Sequence, residues 1–207
     1  MRLGIVSDIH CNYPGLQKAL ELMGDIDRLV CAGDAVFQFR WSNEVVGCLR
    51  DLDALVVQGN HEETLLAPDS RALEDPAVDQ ELVSWMRAQP FRIETEVGGK
   101  RLLLTHGSPW EPWRDYVYPH HKRIWSKASD MGFDCIIVGH THFKMAERYG
   151  QALIINPGSA GDARDPSNEF QLSCAVWDTE SGDVTFYDYP DPLRAYINLN
   201  AASEAGA

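Results

Sequence analysis

Short apolar runs along the chain alternate with longer stretches in which apolar residues recur every three or four positions. The runs at residues 3–6, 29–31, 54–57, 102–105, 135–138 and 153–155 are too short for helices and read as strands, several of them buried on both faces. After the first run, Leu16, Ala19, Leu20 and Met23 fall on one face of a helix predicted over residues 14–23. Further helices are expected over 43–49 and over 77–88, the latter with Val78, Leu82, Val83 and Met86 on one face. Toward the end, segments 171–177 and 184–187 alternate more, and their link Glu180-Ser181-Gly182-Asp183 predicts a hairpin. Residues 92–97 and 101–105 around Gly98-Gly99-Lys100 predict another. This order implies an α/β fold: a layered α/β sandwich with mixed parallel and antiparallel sheets flanked by helices. No repeat or linker divides the chain, so one domain is expected over residues 1–189, with a partly disordered tail over 190–207.

A chain of 207 residues suits one sizeable domain, burying roughly 70% of its unfolded surface. No stretch approaches the ~20 apolar residues of a membrane helix. The first apolar run meets polar residues at once, which does not fit a secretory leader. A cytoplasmic location without a membrane partner is therefore the expectation. The five cysteines include no Cys-x-x-Cys pair, which argues against a zinc knuckle or a dithiol site. A net charge of −13 argues against a nucleic-acid coat.

Against this background, five short motifs each follow a predicted strand: Ser7-Asp8-Ile9-His10, Gly33-Asp34, Gly59-Asn60-His61-Glu62, Thr105-His106-Gly107 and Gly139-His140-Thr141-His142. They hold five of the seven histidines. Carboxylate, amide oxygen and imidazole suit divalent transition metals and metal-assisted hydrolysis. In open α/β sheets ligands gather beyond the carboxyl ends of strands, so the metal site is expected there. The motif glycines are expected to turn the backbone sharply beside a crowded centre. Two bound divalent ions would outweigh Asp8 and Asp34, so the overall negative charge does not rule out an anionic substrate. No nucleoside-triphosphate loop and no Gly-x-Ser-x-Gly elbow is present.

In order and content, the motifs resemble those of the calcineurin-like metallophosphoesterases. The resemblance runs from Leu3 to about Asp165 and includes the Asn156-Pro157-Gly158-Ser159 turn of the small bacterial, phosphodiesterase-like branch. It implies a dinuclear phosphoesterase in which a metal-bridging hydroxide attacks a phosphodiester or nucleotide-like small molecule. Asp8, His10 and His142 would hold one ion, Asn60, His106 and His140 the other, and Asp34 would bridge them. His61 would act on the substrate as a general acid or transition-state stabiliser, and Asn60 and Arg164 would contact it. Two divalent ions are implied, with Mn²⁺ favoured and Fe, Zn, Ni or Mg as alternatives. A phosphoprotein phosphatase, a dinucleoside-polyphosphate hydrolase and a metal-bearing partner-binding scaffold are the competing readings, and a homo-oligomer is compatible with all of them. Three positions depart from the family pattern. Cys11 stands where glycine is usual and is either a bystander or an oxidisable thiol near the metals. Gln58 removes an arginine often found in relatives. Glu62 replaces a commoner aspartate and is expected to orient His61 or a ligand. The aromatic residues Trp110, Trp113, Tyr116, Tyr118 and Trp125 form either a nucleobase wall or a satellite core. His120-His121-Lys122-Arg123 is either a phosphate contact or a solvated helix start.

Overall fold

Two five-stranded mixed sheets lie face to face in a computed structural model, which describes residues 1–110 and 113–194. The strands are β1 (Arg2–Val6), β2 (Arg28–Cys31), β3 (Leu55–Val56), β4 (Arg92–Val97), β5 (Lys100–Thr105), β6 (Cys135–Ile137), β7 (Lys144–Tyr149), β8 (Ala152–Pro157), β9 (Leu172–Asp178) and β10 (Val184–Tyr189). The helices are α1 (Tyr13–Met23), α2 (Asn43–Asp51), α3 (Asn60–Leu65), α4 (Gln80–Arg87) and α5 (Lys122–Ala128). The first sheet has the order β10-β9-β1-β2-β3 and the second β4-β5-β6-β8-β7. Each contains a parallel trio, β1-β2-β3 and β5-β6-β8, with antiparallel strands outside it.

Strand alternation builds three apolar layers. Leu3, Ile5 and Val30 of the first sheet meet Leu102, Leu104, Ile137 and Ile155 of the second in the central layer. Val6, Cys31 and Val56 face the other way and pack under Leu16, Val45 and Leu82 of the helices. Leu103, Ile136 and Ile154 do the same beneath Trp125 and Ala128 of α5. Burial on both faces explains why these strands are continuously apolar in sequence.

Several elements differ from expectation for local reasons. The helix predicted from residue 77 begins at Gln80, because the Asp79 carboxylate accepts the N–H groups of Glu81 and Leu82 and caps it there. Two elements lie outside the predicted set: α3, whose Asn-His-Glu-Glu-Thr-Leu sequence has no apolar stripe, and β7, an edge strand with only Met145 buried. The tail expected from residue 190 is described only to Arg194, which pairs with Asp191; residues 195–207 lie outside the described residues. No helix among the described residues is long and apolar enough to cross a membrane.

The β4–β5 hairpin turns through Gly98 and Gly99 alone, since Val97 pairs with Lys100. Both glycines have positive φ, +54° and +72°, as a two-residue turn matched to strand twist requires. A side chain at Gly99 would meet open space, so the cost of substitution there is backbone conformation alone. Gly99→Asn is expected to change stability by only a few tenths of a kcal/mol, whereas Gly99→Val loses about 1–2 kcal/mol. Chemical denaturation of the two variants checks this, and equal losses would refute the turn assignment.

Candidate metal centre

The predicted ligands meet where the two parallel trios end. Asp8 and Asp34 follow β1 and β2, Asn60 opens α3 just past β3, and His106 and His140 follow β5 and β6. The ligand atoms of Asp8, His10 and His142 lie within 4.8 Å of one another, and so do those of Asp34, His106 and His140. A third such group, His10, Asp34 and His61, joins the two, which places Asp34 between them. Asn60 Oδ1 is 3.2 Å from His106 Nε2. All six of the aspartate and histidine ligand candidates are buried.

Main-chain partners aim these side chains. His106 donates Nδ1–H to the Ala32 carbonyl at 2.7 Å, and His142 donates Nδ1–H to Asp162 at 2.6 Å, so each directs Nε2 at the centre. His140 donates Nε2–H to the Arg114 carbonyl at 3.1 Å and directs Nδ1 instead. Each aspartate anchors one oxygen and leaves the other free. Asp8 Oδ2 accepts from the Ser7 hydroxyl and the His140 amide, while Oδ1 is buried without a donor, 3.2 Å from His142 Nε2. Asp34 Oδ1 accepts the His61 amide, and Oδ2 lies 3.0 Å from His106 Nε2. A buried orphan carboxylate oxygen beside imidazole lone-pair positions is what a divalent cation satisfies. The donor set therefore fits the two ions, and fixing ligands through hydrogen bonds to their far sides is typical of metal sites.

The electrostatics agree. Burial pushes the Asp8 and Asp34 carboxyls up, but His142 and His106 outweigh it and hold both below the usual carboxylate range. Burial lowers His106, yet Asp34 reverses this and draws its pKa up to about 10. His10 and His140, desolvated and close to other imidazoles, fall to about 4 and are neutral. In the metal-free protein the proton on His106 does part of the neutralising that cations would do, and Asp8 raises His142 in the same sense.

The sharp turns are made by the ligands and not, as expected, by the motif glycines. Asp8, His10, Asp34, His140 and His142 all have φ between +49° and +67°, while among the motif glycines only Gly33 has positive φ. Non-glycine residues held there concentrate at functional sites. Gly59 and Gly139 are needed for room: a Cβ would come within 2.2 Å of Asp34 Oδ1 or 1.8 Å of Ser7 Oγ.

The departures from the family pattern resolve physically. Glu62 touches neither His61 nor a ligand side chain. Its fully buried carboxylate accepts the amides of Asp34, Val36 and Gly59, so it orients Asp34 through the backbone. Burial and the Asp34 charge raise its pKa to about 7. Gln58 spends its amide on the carbonyls of Met86, Arg87 and Gln89. The Cys11 thiol bonds the Arg40 carbonyl and is raised by burial, the opposite of a reactive thiolate.

Other candidates sit around the rim. His61 receives the Gln38 amide on Nδ1 at 3.0 Å, so the neutral ring carries its proton on Nε2, 3.8 Å from Asp34 Oδ2. Arg164 is exposed and paired with Asp162, yet its charge is felt at His61, Tyr116 and His142. The aromatic segment divides: Trp125 is core, Tyr116 stacks on His140 with centroids 3.7 Å apart, and Trp113 walls a cavity beside Asn60 and His106. His120 is exposed and stacks on Tyr118, outside the centre. The Gln38 amide and the Ala32, Arg114 and Asp162 carbonyls had no sequence signal, being main-chain groups. Ser159 did, in the Asn-Pro-Gly-Ser turn: its hydroxyl donates to the Asp8 carbonyl at 2.7 Å, and Asn156 donates to Gly139 at 2.8 Å.

Comparison with known proteins agrees with this geometry. The family model described as the calcineurin-like phosphoesterase superfamily domain matches residues 1–182. An uncharacterised protein of Methanocaldococcus jannaschii is 28% identical, covering 81% of this chain and 79% of its own. A phosphodiesterase of the same archaeon is 26% identical over 76% of this chain and 83% of its own. The crystal structure of a metallophosphoesterase from Sphaerobacter thermophilus aligns with a TM-score of 0.78 at 24% identity, covering 94% of this chain and 90% of the other.

Two predictions follow from the centre itself. Glu62→Ala leaves three buried amides without an acceptor, at about 1–3 kcal/mol each, and is expected to cost at least ~3 kcal/mol in urea unfolding. A loss below ~1 kcal/mol would show that those amides find other partners. Adding Mn²⁺ to the metal-free protein at pH 7 in weak buffer should release protons, because an ion displaces the one held on His106. Potentiometric titration measures this, with a smaller release expected for His106→Ala.

Proposed function

Because the chain belongs to the calcineurin-like phosphoesterase superfamily, we propose that it is a dinuclear metal-dependent phosphoesterase acting on phosphodiester or nucleotide-like small molecules. The observation that carries this is a pair of ligand groups, Asp8 with His10 and His142 and Asp34 with His106 and His140, joined by a third group that contains His10 and Asp34. Asp8, His10 and His142 would hold one ion, Asn60, His106 and His140 the other, and Asp34 would contribute to both. Mn²⁺ is the first choice, since carboxylate and imidazole without thiolate suit it. When bound, the ions supply positive charge to a phosphoryl oxygen and make the attacking water acidic.

The remaining work falls to side chains of this protein. His61 has the one motif imidazole whose proton position is set by a backbone amide, and it presents Nε2–H toward the centre. Charge builds on the leaving oxygen, and a fixed Nε2–H donates a hydrogen bond to it without reorganisation. Burial lowers the His61 pKa and so favours this neutral form, and Phe37, tilted over the ring with centroids 4.8 Å apart, limits its swing. Asn60 and Arg164 contact the substrate phosphate, Arg164 from the rim where Asp162 holds it.

Protein stripped of metal is expected to lose hydrolysis of bis(p-nitrophenyl) phosphate and to regain it with Mn²⁺. Inactivity on mono- and diester probes across a metal panel would count against the enzyme and favour the scaffold reading. His61→Gln should lower kcat about 10²–10⁴-fold with metal content unchanged. Undiminished turnover in that variant would remove His61 from the mechanism.

A further inference from the structure

A cavity of about 280 Å³ opens beside Asn60 and His106, and the predicted chemistry makes no use of its aromatic walls. Its volume is at the low end for a small-molecule site, roughly 300–1,000 Å³. Phe91 and Trp113 form its apolar walls, and both also wall a neighbouring space of about 310 Å³, so the aromatic surface continues away from the centre. Arg114, ion-paired with Glu63, is the single Lys or Arg among the lining residues.

Both walls are pinned by residues that flank the metal ligands. The Gln58 amide N–H donates to the Pro90 carbonyl at 2.9 Å, and its side chain donates to Gln89 at 2.6 Å, which fixes the turn leading into Phe91. Gln58 is two residues before Asn60. On the other side the Gly107 amide donates to the Trp113 carbonyl at 3.1 Å, directly after His106. A Cβ at Gly107 would come within 2.4 Å of that carbonyl, so the wall approaches this closely only because residue 107 is glycine. Trp113 itself is held at φ +60°. A deliberately placed aromatic surface next to a phosphoester site calls for a planar ring attached to the phosphate.

We propose that this cavity is a nucleoside subsite, in which Phe91 and Trp113 hold the base of a nucleoside phosphoester while its phosphate lies at the metal centre. The proposal rests on the phosphoesterase reading and names its substrate class. Aromatic side chains stack on any base without reading its edge, so the subsite selects for a ring and not for a particular base. Arg114 stands where a sugar hydroxyl or a second phosphate would compete with Glu63 for its guanidinium. A phosphopeptide, with no planar ring joined to its phosphate in serine or threonine esters, gains nothing from these walls.

Two substrates with one leaving group test this: thymidine 5′-(p-nitrophenyl phosphate) and ethyl p-nitrophenyl phosphate, assayed with Mn²⁺. Stacking of one base is expected to favour the thymidine ester roughly tenfold in kcat/KM, through KM. Trp113→Ala and Phe91→Ala should each bring the ratio of the two esters toward one, and Trp113→Phe should retain most of it. Equal use of both esters by the wild type, an unchanged ratio in Trp113→Ala, or preference for a phosphoserine peptide would overturn the proposal. If neither ester is hydrolysed, the phosphodiester reading fails, and the cavity is still decided by saturation-transfer NMR with adenosine and ribose. Transfer to the adenine protons that is lost in Trp113→Ala supports the subsite; none in the wild type overturns it.

Discussion

Two buried aspartates share this site with a buried glutamate, and among the described residues no lysine or arginine is ion-paired with any of the three. That concentration of negative charge is the constraint on which the rest depends. Taking carboxylates out of water is costly unless charge and hydrogen bonds replace the solvent. Here the replacement has two parts. Backbone amides serve Glu62 and one oxygen of each aspartate, and imidazoles serve the other oxygens. The imidazoles do so only when protonated or bridged by a cation, so a need of the fold and a requirement of the chemistry coincide.

The two sheets are joined at this end by polar bonds in both directions. His106 of the second sheet's edge bonds Ala32 beyond β2, and the His140 amide bonds Asp8 beyond β1. The Ser159 hydroxyl and the Ala160 amide complete the seam onto the loop carrying Asp8. Ligand positions thus follow from main-chain geometry, with the apolar layer between the sheets as a rigid base. The left-handed backbone at five ligands is tolerable because these bonds over-determine it.

Much of this was legible beforehand because the relevant signals are side-chain identities. Continuous apolar runs gave the inner strands, Gly98-Gly99 gave a hairpin, and aspartate and histidine after successive strands gave the ligand candidates that the fold brings together. What stayed hidden works through the backbone or through neighbours distant in sequence. The six-residue α3 has no periodicity, and the role of Glu62 is defined by amides at residues 34, 36 and 59. The proton position on His61 is dictated by the amide of Gln38, where any non-proline residue would serve. Phe91 lies outside every motif and reaches the site because Gln58 ties its turn to the end of β3.

Strand order also bears on how the chain assembles in time. The second sheet is drawn wholly from the continuous stretch 92–157, whereas the first combines strands from residues 2–56 with strands from 172–189. β1 lies between β2 and β9, so the strand leading to Asp8 keeps a bare hydrogen-bonding edge until nearly the whole described chain has been synthesised. Pairing across such a separation closes a long loop and is slow. The earliest-made loop of the candidate centre is therefore among the last to be secured, so its cluster of carboxylates and imidazoles is complete only at the final stage of folding.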